Sequence, residues 1–159
     1  MDIYVSGGRT TPVTLVVATG QNVRFVNADP FDHQLYDVKG EGGGMAPEPT
    51  KSGEQRIWQP QKAGVYEIRD KLFPSVRSWI VVADNVVSQT HPKRDGSFTL
   101  GGLVEGSYTL QAYHEGQKTG EPMPIEVRGL PDLQPLIKPL VVAKKGDKPE
   151  KEIGEEGDE

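Results

Sequence analysis

The chain has 159 residues, of which 35% are hydrophobic, with 19 Gly, 13 Pro and a formal net charge of −5. So few apolar residues and so many turn formers favour short strands joined by tight turns over long helices. The lack of cysteine excludes disulfides, thiolate nucleophiles and thiolate metal sites. No apolar run approaches the roughly 20 residues that span a bilayer, and the mildly acidic balance excludes the clustered basic face that nucleic acid requires.

In chain order, Met1-Asp2-Ile3 has neither a basic n-region nor an apolar h-region, so the chain is expected to be cytoplasmic or the mature form of an exported protein. Val13 to Val17 is rich in β-branched residues and reads as a strand. Thr19 to Asn22 is a turn, and Val23 to Val26 is a strand with Val23 and Phe25 on one face. Gln34 to Val38 is a short strand. Glu41 to Gly53, with consecutive glycines and two prolines, reads as a long loop, and such loops are candidate recognition surfaces. Strands follow at Gln55 to Trp58, Val65 to Arg69 and Ser78 to Val82, and Trp58 and Trp79 are expected in the core. No helix is expected before residue 84.

Beyond Asp84 the rhythm tightens. Asp95-Gly96 precedes Ser97 to Leu100, and Glu105-Gly106 precedes Ser107 to Tyr113, each dipeptide supplying a turn. Pro124 to Arg128 and Leu136 to Val142 complete the strands, with Pro139 demoting the last to an edge. Residues 144–159 hold four Lys and seven Asp or Glu, the composition of a disordered acidic tail. The expected fold is all-β: two small antiparallel Greek-key sandwiches in tandem, over 1–84 and 85–143, with the tail at 144–159.

The stretch Val23-Arg24-Phe25-Val26-Asn27-Ala28-Asp29-Pro30-Phe31-Asp32-His33 resembles the first metal-ligand region of the cupredoxins, where a strand ending in Phe and Asn leads to a copper-binding His. Gln61 to Tyr66 resembles the family's turn into its next strand, and Trp79 to Val82 its closing strand. Asp95 to Glu115 resembles the carboxypeptidase regulatory-like, transthyretin-like domains, which are not peptidases. The tandem resembles bacterial envelope proteins, which implies a periplasmic or extracellular location.

The copper ligands that the first resemblance implies are mostly missing. Where the family has its Cys, second His and Met, this chain has about Asp70, Phe73 and Val76. His33 alone remains, a weak metal candidate, with Asp70 and Met45 as conceivable companions in a nitrogen–oxygen site; a blue-copper centre needs more. Phe73 is expected to fill the vacated space by burial. His114 and Glu115 are neighbours on a strand, so they point apart, and His114 is expected to be partly buried. His91-Pro92-Lys93-Arg94 is a basic turn too small for nucleic acid. Ser6 to Arg9 and Gly42 to Gly44 lack phosphate-loop spacing and are loops. No cofactor and no catalytic residue is assigned. The leading expectation is a non-catalytic binding or structural protein acting through protein partners or self-association. The alternative is a metal-binding or electron-transfer cupredoxin with an atypical site around His33.

Overall fold

The computed structural model describes residues 1–40 and 44–129, and among these there is no helix. Eleven strands form: β1 (Asp2–Ser6), β2 (Arg9–Thr11), β3 (Thr14–Ala18), β4 (Val23–Asn27), β5 (His33–Asp37), β6 (Glu48–Thr50), β7 (Gln55–Trp58), β8 (Gly64–Asp70), β9 (Arg77–Ala83), β10 (Gly106–His114) and β11 (Gln117–Val127). One sheet runs β2-β1-β4-β7, the facing sheet β3-β9-β8-β5-β6, and β10-β11 is a separate ribbon.

The period-2 alternation builds the sandwich. Ile3 and Val5, Leu15 and Val17, Val23 and Phe25, Leu35, Ile68, and Ile80 and Val82 all point between the sheets and are buried, with Met45, Val76, Trp58 and Tyr66 closing the layer. Each such side chain contributes about 1.5–3 kcal/mol when fully buried. The chain changes sheets between β2 and β3, at the Thr19–Asn22 turn and again between β4 and β5, and this third crossing delivers His33 into the interior at one end of the sandwich.

Two pairings are parallel, β1 with β4 and β3 with β9, so the sheets are mixed where a purely antiparallel sandwich was expected. The N-terminal strands cause this: β1 lies in one sheet and β3 in the other, and each runs beside a strand brought in from later in the chain. β1, β2 and β6 were not anticipated. Three-residue strands such as Glu48–Thr50, with a proline inside, carry almost no periodic signal. β6 also shortens the loop expected at 41–53.

Gly44 lies against the end of β5. A Cβ there would run into the Asp37 carboxylate, standing 3.0 Å from Asp37 Cγ. It would stand 3.0 Å from Asp37 Cβ as well, so the clash reaches the base of a buried side chain and rotating the carboxylate alone does not relieve it. Gly44→Ala is expected to destabilise the fold by about 1–3 kcal/mol, the usual cost of overpacking, measured by urea denaturation.

Beyond Asp84, the described residues form one hairpin and turns. Asp95 makes the expected turn, its Oδ1 accepting from the Ser97 amide and hydroxyl, yet Ser97 to Leu100 is not a strand. The hairpin pairs Tyr108 with Ile125 and Leu110 with Met123, and its register slips between Leu110 and Ala112. It turns through Glu115 and Gly116, both at positive φ, the conformation of a two-residue hairpin turn. No hydrophobic residue beyond Val82 is buried among the described residues. A second sandwich is thus not seen there, and the Leu136 to Val142 strand and the 144–159 tail lie outside the described residues. The hairpin tip packs on the first unit at Trp79 and Val65. Trp79 therefore lies on the outward face of β9, half-buried, not in the core, whereas Trp58 is in the core as expected.

Candidate functional site

The site is built around the loop from β4 to β5. Asn27, the last residue of β4, points inward and organises it. Its Nδ2 donates to the Phe31 carbonyl at 2.8 Å and the Thr50 carbonyl at 2.9 Å, and its Oδ1 accepts from the Asp29 amide at 2.9 Å. The Ser52 hydroxyl donates to the Asp29 carbonyl at 2.6 Å. This folds the loop back so that Asp29 and His33, four residues apart, face each other.

His33 is 0% exposed and bracketed by carboxylates. Nε2 lies 2.9 Å from Asp29 Oδ2, and Nδ1 makes a close contact with Asp70 Oδ2. Asp29 Oδ1 accepts from the Gly7 amide at 2.7 Å, in the β1–β2 turn. Asp70 Oδ1 accepts from the Gln34 amide at 3.0 Å and the Leu72 amide at 2.8 Å. The bridge therefore ties together the β1–β2 turn, the β4–β5 loop and the segment after β8. Phe31 and Phe73 stand edge-on to the imidazole at 5.3 and 5.2 Å, shielding it from water.

Burial, the largest single influence on Asp29, opposes its ionisation. The Gly7 amide, the hydrogen bond and charge of His33, and the Gly8 amide together outweigh it and hold the carboxyl below its ordinary value. The resulting stability is present above the unfolded carboxylate value of about 3.9 and is lost as pH falls through the lowered folded value. Acid titration of the fold followed by near-UV circular dichroism is expected to show this loss below about pH 4, and Asp29→Asn to lose less over the same window.

Of the residues singled out in the sequence, His33 and Asp70 are brought together. Phe73 packs beside them and against the core as expected, while Val76 and Met45 go into the core itself. His114 is exposed, not partly buried, because it ends β10 at the hairpin turn. The ring of His91, also exposed, meets the Thr14 carbonyl through Nε2 at 2.8 Å. Asp29 was missed, although its spacing four residues before His33 in a loop was the available signal. Thr50 was missed too. It stands opposite His33 in the β5–β6 ladder, it is buried, and its hydroxyl has no partner among the described residues.

The first unit is a two-sheet β-sandwich with His33 buried at one end. Similar solved structures include the reduced state of an amicyanin variant, at 20% identity over 52% of this chain and 81% of that one with a TM-score of 0.47. A Cu(I) form of another amicyanin variant matches at 20% identity over the same shares with a TM-score of 0.48. Amicyanin from Paracoccus versutus matches at 15% identity over 52% and 79% with a TM-score of 0.47. No family model and no curated protein matches the chain. The matches do not extend to a second domain.

The expectation of a structural module working by protein contacts or self-assembly is corrected at this point. The similar structures are amicyanins, described in oxidised, reduced and Cu(I) forms, and they stand with the alternative of a metal-binding cupredoxin. A blue-copper centre does not fit these residues, since the position matched to its thiolate carries Asp70 and the chain has no cysteine. The donors that are present are one imidazole, two carboxylates and an orphaned hydroxyl, a nitrogen–oxygen set. Among the described residues no three His, Cys, Asp or Glu side chains already surround a common point. The carboxylates lie on opposite edges of the ring instead.

Proposed function

We propose that the chain is an atypical cupredoxin-like protein that binds a divalent transition-metal ion through nitrogen and oxygen donors at His33. The observation that carries this reading is that Asp29 and His33, at the two ends of the β4–β5 loop, and Asp70, at the end of β8, are all buried and meet beside the Phe31 and Phe73 rings. Buried ionisable groups are expensive to gather, and such clusters concentrate at functional sites. Imidazole and carboxylate donors suit Zn(II) or Cu(II). Bound there, an ion would supply a fixed positive charge, and with copper a redox centre. The proposed role involves binding, not catalysis, with a protein partner and a periplasmic or extracellular location as further parts of the proposal. Residues 85–143 are read as a carboxypeptidase regulatory-like unit, in keeping with the alternating Tyr108, Leu110, Met123 and Ile125 of the hairpin.

A second reading has its own observation. Every carboxylate oxygen of Asp29 and Asp70 already meets a nitrogen, so the bridge also suits a purely internal clamp. Cu(II) titration separates the two. In a His91→Ala/His114→Ala background His33 is the last histidine, and both substituted residues are exposed. One equivalent of Cu(II) is expected to bind with the electron spin-echo signature of an imidazole ligand. Binding without that signature, or none, leaves the clamp.

A further inference from the structure

Four strands stand at the edges of the two facing sheets: β2, β7, β3 and β6. A sheet edge offers unpaired backbone groups to any other extended chain, and charge or proline on the edge strand is a common protection. β2 carries Arg9, β7 carries Arg56, and β6 carries Glu48 and Pro49. β3, Thr14-Leu15-Val16-Val17-Ala18, carries neither and is the longest of the four. Its uncharged, β-branched composition is the kind that pairs most readily with another strand.

The protection of β3 comes from elsewhere in the chain. The Trp79 amide donates to the Val13 carbonyl, which sets the alternation: the backbone groups of Leu15 and Val17 face β9, and those of Thr14, Val16 and Ala18 face away from it. Gln21 takes both outward groups of Ala18. Its amide donates to the Ala18 carbonyl at 3.1 Å, and its Oε1 accepts from the Ala18 amide at 3.2 Å. His91 Nε2 donates to the outward Thr14 carbonyl at 2.8 Å.

The segment after β9 is laid out to bring His91 there. The Thr19 hydroxyl donates to Asp84 Oδ1, so the segment starts beside the C-terminal end of β3, and His91 fixes it beside the N-terminal end. A five-residue strand is about 13 Å long, and residues 84–91 in extended form cover that distance with slack. Gln89 ties the same segment to Met1, its Nε2 standing 3.4 Å from Sδ, where β1 has not yet met β2. Residues 85–91 form no strand. They hold the edge by side-chain bonds and add no ladder of their own.

We infer that residues 84–91 are a strap over the edge of β3, fastened by His91, and that the strap and Gln21 together keep other extended chains from pairing with that strand. The inference is independent of any metal at His33.

Gln21→Ala/His91→Ala in the full chain tests it. The variant frees the Ala18 amide and the Thr14 carbonyl and loosens the strap, so self-association measured by sedimentation velocity should tighten about tenfold or more over the wild type. Adding Val16→Pro should abolish that gain. Proline removes the outward Val16 N–H and places its ring on the edge, while the bonds to β9, made by Leu15 and Val17, stay intact. His91→Ala alone changes only an exposed ring and carries the same comparison should the double variant lose its near-UV circular dichroism. Sedimentation unchanged from the wild type in the folded variants overturns the strap. Association that persists after Val16→Pro runs through another surface and overturns it equally.

Discussion

Replacing His33 by alanine is expected to cost about 3–5 kcal/mol, the range seen when one partner of a buried ionic set is removed. The loss has two parts. Asp29 and Asp70 would keep their backbone donors but face each other across a void, each with one oxygen unpaired. The Phe31 and Phe73 rings, 4.5 Å apart, would lose the imidazole against which both stand. Urea denaturation followed by fluorescence of the buried Trp58 measures the effect. Asp29→Asn and Asp70→Asn, each leaving an amide beside the ring, should both cost less than His33→Ala. A loss below about 1 kcal/mol for His33→Ala, the scale of an exposed pair, would show that the bridge does not hold this end of the sandwich together.

Gly116→Val should produce the second large effect, at a different place. Gly116 sits at φ +75°, and a Cβ there would lie 2.7 Å from Trp79 Cδ1 and 2.9 Å from Val65 Cγ1. A β-branched residue meets both obstacles, an unfavourable backbone region and a hard wall. Overpacking of this kind costs about 1–3 kcal/mol. The cheapest relief is for the hairpin tip to lift off the sheet, uncovering the outward face of β9, where Val81 is only 4% exposed. In a Trp58→Phe background, acrylamide quenching of Trp79 should rise in the variant while the sandwich still unfolds as one unit. Unchanged quenching would mean that the tip does not cover Trp79 in solution.

The parts of this fold that were legible in the sequence are those with a strong local pattern. Val13 to Val17, Val23 to Val26 and Ser78 to Val82 carry runs of β-branched and aromatic residues, and each became a strand close to the expected bounds. The order of the loops placed His33 and Asp70 at the same end. The failures have physical causes. β1 begins at residue 2 and its exposed positions include Tyr4, so its alternation is blurred. Trp79 looked like a core residue because a large ring in an apolar strand normally points inward. Here the hairpin tip, more than thirty residues later in the chain, gives the outward face its own cover. The site was half legible for a similar reason. A lone histidine after an Asn-initiated loop drew attention, and the i,i+4 spacing of Asp29 went unread, whereas Thr50 comes opposite His33 only through strand pairing, which leaves no spacing rule behind. Ser97 to Leu100 had the alternation of a strand and did not become one: the turn before it forms, but a strand also needs a neighbour to pair with.

The two parallel pairings carry a further consequence, for the order in which the molecule can assemble. β3 runs beside β9, with Thr14 opposite Trp79, so a strand made early waits for one made more than sixty residues later. β1 waits in the same way for β4. Long-range pairings of this kind place loop-closure entropy ahead of the contacts that offset it, and proteins dominated by them fold in milliseconds to seconds. On a ribosome, β3 emerges with an open edge and keeps it until Ala83 is free of the exit tunnel. The β4–β5 loop, with His33 already between its two flanks, is one of the few parts of the sandwich that can close from nearby residues before then.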